Sequence, residues 1–214
     1  MPRAFSEREK DIIQSDLRAA GRELFANFGL RKTNVEDLTR AAGISKGAFY
    51  LFYDSKEALY LEIIEDYEQE FRARIFANIQ RAEFTPRENF KALLREGFQM
   101  WREHPMLRHF NQEDFQALLR RLPEASVQSH FQHDEAAMAG LLEMWRVMGV
   151  TTQVDAPLLT DLMKSLFFIS LHETEIGPGY PRALDVLIDL IAGYVFCVRG
   201  EVGDITAYKW DEHS

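Results

Sequence analysis

Apolar residues recur at three- and four-residue spacing along nearly the whole chain, and that rhythm confines it to a helical fold. Leu17, Ala20, Gly21, Leu24, Phe25 and Phe28 form one stripe, which Gly29 ends. A second ladder of Leu59, Ile63, Tyr67, Phe71, Ile75 and Ile79 is long enough for about six turns. Phe90, Leu93, Leu94, Gly97, Phe98 and Trp101 make a third. Pro86, Pro105, Pro123, Pro157 and Pro181 stand near the expected starts of new helices, where a missing N–H costs least. The chain shows neither a sustained two-residue alternation nor a fixed-period repeat. The pattern predicts an all-α protein with about nine helices.

Composition narrows the function classes. At 214 residues the chain suits one large domain, or a small domain plus a larger one. Its single cysteine, Cys197, excludes an internal disulfide framework and a Cys-rich zinc site, and fits a reducing cytosol. The longest uncharged run, Leu190 to Val198, has nine residues, whereas spanning a bilayer takes about 20. No membrane partner is therefore expected, and the first residues lack the apolar core of a secretion signal. The net charge of −9 argues against a polyanionic partner until it is divided along the chain. Residues 1–56 hold ten basic and eight acidic side chains, a net of +2, and the rest carries −11. A slightly basic head on an acidic body can hold a polyanion locally while the body discourages non-specific contact.

The segment 31–58 is the most finely punctuated. Asn34 is placed to cap a short helix from Val35 to Ala42, with Asp37 as a reciprocal capping partner. The apolar face of that helix is Val35, Leu38 and Ala42; Gly43 ends it and Ile44 plugs the turn. Ser45 then caps a helix from Lys46 to about Phe52 whose inner face is Phe49 and Phe52, and Ser55 caps the long helix after it. Two short helices joined through a glycine turn read as a helix-turn-helix, although spacing alone also admits an ordinary helical hairpin.

The run Gly29-Leu30-Arg31-Lys32-Thr33-Asn34-Val35-Glu36-Asp37-Leu38-Thr39-Arg40-Ala41-Ala42-Gly43-Ile44-Ser45-Lys46-Gly47-Ala48-Phe49-Tyr50 resembles the DNA-binding head of TetR-family regulators. So does its continuation Leu51-Phe52-Tyr53-Asp54-Ser55-Lys56-Glu57-Ala58-Leu59. The resemblance runs from roughly Ala19 to Leu59. It implies a helix-turn-helix DNA-binding domain over 1–56 and a helical effector-binding and dimerisation domain over 57–214. It further implies a cytoplasmic repressor, released from a double-stranded, pseudo-palindromic DNA operator by a small hydrophobic effector.

Within the head, Gly47 and Ala48 are small enough to let the backbone approach a groove, and Lys46 adds a charge beside free helix N–H groups. Tyr50 presents a flat apolar body with a hydroxyl donor. Thr33 and Lys56 match family positions that clamp phosphates on either flank, and Arg40 is a further candidate for the backbone. The sequence departs from the family near the end of the second helix: Leu51 and Phe52 have no donor, and the hydroxyl comes one step later on Tyr53. That tyrosine is either a phosphate contact or core.

In the body, two segments are apolar beyond a single stripe, roughly 158–172 and 182–198. Such helices need a second partner. The resemblance implies that they pair with a second copy in a homodimer, with Leu162, Leu166, Leu187, Ile191 and Val195 as candidate contacts. An apolar effector pocket is expected between helices spanning roughly 88–172, walled by Phe98, Trp101, Phe115, Met138 and Phe168, with His133 and His172 as orienting polar groups. The same side chains would equally fill a close-packed core. An alternative is a helix-turn-helix regulator without a small-molecule effector, controlled by a protein partner or by abundance. His130, His133 and Asp134 share helical spacing that can ligate a metal, which leaves a metal-dependent helical enzyme as a distant third reading. No nucleophile motif is present, and neither catalysis nor a cofactor is expected.

Overall fold

The computed structural model describes residues 5–79, 85–108 and 110–196; His109, Cys197, Val198 and His213 lie outside them, as do the side chains of Ile75 and Ile79. Ten α-helical segments follow one another: α1 (Glu7–Lys32), α2 (Val35–Ala41), α3 (Lys46–Phe49), α4 (Lys56–Ile79), α5 (Pro86–Glu103), α6 (Gln112–Arg121), α7 (Glu124–Val147), α8 (Ala156–Ser170), α9 (Glu173–Ile176) and α10 (Tyr180–Val195). A 3-10 turn, Gly177–Gly179, precedes the last. No strand occurs among the described residues. Setting aside the single turn of α9 leaves the nine or so helices that the periodicity predicts.

Local chemistry explains most boundaries. The side chains of Asn34, Ser45, Thr85, Asn111 and Asp155 each accept a backbone N–H in the first turn of the helix they precede, satisfying donors that have no partner within the helix. Ser55 does the same for Ala58 at the start of α4. Asp37 differs from expectation: its carboxylate pairs with Arg40 at 3.1 Å instead of returning to the cap. Pro86, Pro157 and Pro181 occupy first-turn positions, and Pro123 precedes α7. Pro105 instead begins a turn that follows α5.

Gly29 does not end α1. With φ at +76°, a left-handed value that favours glycine, it kinks the helix, which resumes for one more turn. The kink carries Leu30 into the core, leaving Phe28 57% exposed against expectation.

The head core contains Leu17, Phe25, Leu30, Leu38, Phe49, Leu59, Tyr60 and Ile63, and it continues without a break into Met106, Leu107 and Leu118 of the body. The start of α4 therefore belongs to both parts. A second core gathers Phe90, Leu141, Trp145, Leu159, Ala192 and Val195, and a third holds Leu166, Tyr180, Leu184 and Ile188. Burying each such large apolar side chain stabilises the fold by about 1.5–3 kcal/mol. Leu166 and Val195 are thereby corrected: at 1% and 0% exposure they pack inside their own protomer and present nothing to a partner. The α5–α10 pair is further fastened by Arg95–Asp185 at 2.6 Å and Lys91–Asp189 at 2.7 Å.

Candidate nucleic-acid interface and ligand cavity

The turn through Gly43 folds α2 against α3, so that Phe49 points inward and the opposite side of α3 faces solvent. Gly47, Tyr50 and Leu51 make up that outer side; Tyr50 is 49% exposed and Leu51 72%. Lys46 lies at its edge with Nζ 2.6 Å from Glu36 Oε1, an exposed pair that a phosphate must displace to recruit the lysine. Arg40 is also exposed, against Asp37. A Cβ built on Gly47 meets only Ser45 Oγ at 3.9 Å, so nothing in the protein itself requires a glycine there.

Four other head residues take structural positions. The Thr33 hydroxyl is buried and donates to the Gly29 carbonyl at 2.9 Å, leaving no hydrogen for a phosphate. Lys56 Nζ donates to the carbonyls of Leu30, Arg31 and Thr33 at 2.7, 3.2 and 2.6 Å, which uses all three ammonium hydrogens to cap the end of α1. Burial also holds its pKa below the usual lysine value. Ala48 is buried, with its N–H on Ser45 Oγ at 3.1 Å. Tyr53 is 6% exposed and packs on Phe49 with ring centres 5.8 Å apart. Its hydroxyl is buried near Gln14 and Glu62 without a well-formed hydrogen bond, and burial raises its pKa. Thr33, Ala48, Tyr53 and Lys56 thus build the head instead of facing DNA.

The body holds a partly open cavity of about 380 Å³ between α4, α5, α6, α7 and α8. Phe98, Trp101, Phe115, Met138 and Phe168 line it, alongside Tyr60, Tyr67 and Phe71 of α4, a wall that lies outside the expected span. His133 and His172 do not line it; His133 projects to solvent, and His172 sits on an exposed corner beside Glu175. Polar character comes instead from Glu68, Arg72, His130 and Asp134. Arg72 Nη1 stands 3.5 Å from Glu68 and 3.6 Å from Asp134, while His130 Nδ1 is 3.3 Å from Glu65. Glu68 Oε2 is buried with no hydrogen-bond partner. Burial pushes its carboxyl up to about 7. Burial works against a charged His130, but the Glu65 hydrogen bond and the Glu68 and Asp134 charges outweigh it and raise its pKa. The four-residue spacing of His130 and Asp134 puts both on the cavity side of α7, whereas His133 falls on its exposed side. Glu68 and Arg72, also four apart, flank the apolar α4 ladder.

Ring contacts run without interruption from head to cavity: Phe25 to Tyr60 (5.0 Å), Tyr60 to Phe110 (5.9 Å), Phe110 to Trp101 (5.8 Å) and Trp101 to Phe167 (5.3 Å). Among the described residues, no helix is long and apolar enough to cross a membrane. The apolar side chains left on the outside of α8 and α10 include Leu158, Val186, Leu190 and Tyr194, whereas Leu162, Leu187 and Ile191 are half-buried against their own core.

Residues 17–63 match the family model described as bacterial regulatory proteins, tetR family. Over 98 residues the chain is 36% identical to the uncharacterized HTH-type transcriptional regulator YuxN of Bacillus subtilis, a match covering 46% of this chain and 32% of that protein. The matched part thus spans about a third of that relative's length. A TetR-family transcriptional regulator from Pectobacterium atrosepticum superposes with a TM-score of 0.66 at 22% identity, covering 89% of this chain and 98% of the other. FadR of Thermus thermophilus, a TetR-family transcriptional repressor in complex with lauroyl-CoA, gives 0.60 at 20% identity over 89% and 98%. At these identities the structural likeness establishes the fold.

Proposed function

We propose that the chain, whose residues 17–63 match the tetR family model, is a cytoplasmic repressor of the TetR family, released from a pseudo-palindromic DNA operator by a small, largely hydrophobic effector. The observation that carries this reading is the sharing of side chains between cavity and head. Tyr60, Ile64, Leu107 and Leu118 line the cavity and also belong to the core on which the head rests. A molecule that fills the cavity presses on the residues that set the head's position. It shifts the equilibrium only if it binds the released state better than the DNA-bound one, and a 100-fold preference corresponds to about 2.7 kcal/mol. The cavity volume falls in the range of small-molecule sites.

On the same reading the protein acts as a two-fold dimer, because one head presents a small reading surface and a dimer supplies two half-sites about a turn or more apart. The exposed apolar side chains of α8 and α10 support that assembly. Gly47, Tyr50, Leu51 and Lys46 face the groove, with Leu51 suited to thymine methyls. The test begins by selecting bound genomic fragments with the purified full chain. Lys46→Ala should then weaken binding to a selected fragment by about 1–3 kcal/mol if it reads a base. A panel of hydrophobic compounds should contain one that raises Tm and releases that fragment together. Selection of no specific sequence would overturn the DNA-binding reading, and release by no compound would leave a regulator without an effector.

A further inference from the structure

The polar corner of the cavity is built for one sign of charge. Glu68 and Asp134 project from facing helices, α4 and α7, into a space otherwise walled by aromatic rings. Glu65 stands behind them on His130, so three carboxylates face one guanidinium and one imidazole. Arg72 is already held between Glu68 and Asp134, and Lys164, the other cation on the wall, lies 4.6 Å over the Phe131 ring. Glu68 Oε2, the oxygen that Arg72 Nη1 approaches at 3.5 Å, is buried and accepts no hydrogen bond. A buried acceptor that lacks a hydrogen bond costs free energy that an incoming N–H donor recovers.

We propose, resting on the effector reading above, that the effector is an organic cation: a protonated amine on a flat hydrophobic body, with the ammonium against Glu68 and Asp134. The body would lie among Phe71, Phe98, Trp101 and Phe131, whose ring faces attract a cation as well as apolar carbon. An anion would meet the Glu68 and Asp134 carboxylates, with Arg72 and Lys164 already engaged. A metal ion drawn to Glu68, His130 and Asp134, whose ligand atoms lie within 4.8 Å of one another, would have Arg72 beside both carboxylates and would leave most of the cavity unfilled. Burial raises the pKa of the Glu68 carboxyl, and a cation settling there stabilises its ionised form.

Calorimetric titration of the full chain with three compounds sharing one body tests this: 4-phenylbutylamine, 4-phenylbutanol and 4-phenylbutyrate. The amine should bind at least about tenfold tighter than the alcohol, and the carboxylate weakest. Glu68→Gln, close to isosteric, should bring amine and alcohol within about threefold while leaving the alcohol's affinity unchanged. Equal binding of amine and alcohol by the wild-type chain overturns the cationic assignment but leaves the hydrophobic pocket standing. Stoichiometric binding of Zn²⁺ that Glu68→Gln abolishes, without an amine preference, overturns it in favour of a metal site. Binding of none of the three compounds overturns the assignment and the pocket together.

Discussion

Arg31 Nε stands 3.2 Å from a carboxylate oxygen of Asp114, joining the last turn of α1 in the head to the first turn of α6 in the body. The same guanidinium also meets Glu113. Asp114 is 5% exposed, and α6 carries Phe115 and Leu118 into the cavity wall, so this ion pair sits where cavity and head meet. Burial raises the Asp114 pKa, although Arg31 and the Asn111 N–H oppose it.

Arg31→Ala should therefore destabilise the protein by about 1–2 kcal/mol, because a buried carboxylate loses a partner that is itself half in solvent. The sign with pH follows from the raised folded-state pKa. The ionised form costs stability at neutral pH, and that cost fades as pH falls through the folded pKa. The gap between wild-type and variant urea midpoints should narrow as the pH is lowered from neutrality. A gap that widens on acidification would mean that Arg31 acts through some other group.

Lys56→Met should lower stability by about 1–3 kcal/mol, since it leaves the carbonyls at the end of α1 without their cap. The slope of log affinity against log salt should stay at the wild-type value, because no phosphate contact is removed. A slope reduced by about one would return Lys56 to the DNA backbone.

The helices were legible because their signals are local. The caps at Asn34, Ser45 and Ser55 and the turn at Gly43 could be read from residues no more than four apart. Thr33 and Lys56 could not be read that way. Their polar groups are taken up by the carbonyls of α1, and the Lys56 contacts span 23 to 26 residues. The apolar cavity wall followed from periodicity, since Phe98 and Trp101 share a helical face. The polar corner depends on where α7 crosses α4, which brings Asp134 beside Arg72 across more than 60 residues of chain. Spacing within one helix carries no information about that crossing.

Gly47→Ala separates fold from function. The new Cβ meets only Ser45 Oγ at 3.9 Å, and replacing a glycine at a compatible site stabilises by about 0.4–1 kcal/mol through the unfolded chain. Tm should hold or rise slightly while specific DNA affinity falls, because the methyl stands on the outer side of α3. Unchanged affinity for a selected operator fragment would remove Gly47 from the interface.

On the proposed two-fold assembly, Leu190→Glu should separate the two copies without unfolding either. Leu190 is 64% exposed, and Val186 and Tyr194, one helical turn to either side, are 50% and 38% exposed. The three make an outward apolar stripe on α10, whereas Val195, at 0%, faces the second core with Phe90 and Trp145. A carboxylate at Leu190 stays hydrated in the monomer and is desolvated only when two copies meet. Light scattering at micromolar concentration should then give the wild-type chain twice the mass of the variant, with similar melting curves for both. Operator affinity should drop as well, since two half-sites are no longer held together. Val195→Glu is the contrasting control: it places the charge inside the protomer and should collapse the melting transition itself. A dimeric Leu190→Glu protein would move the subunit contact off this stripe.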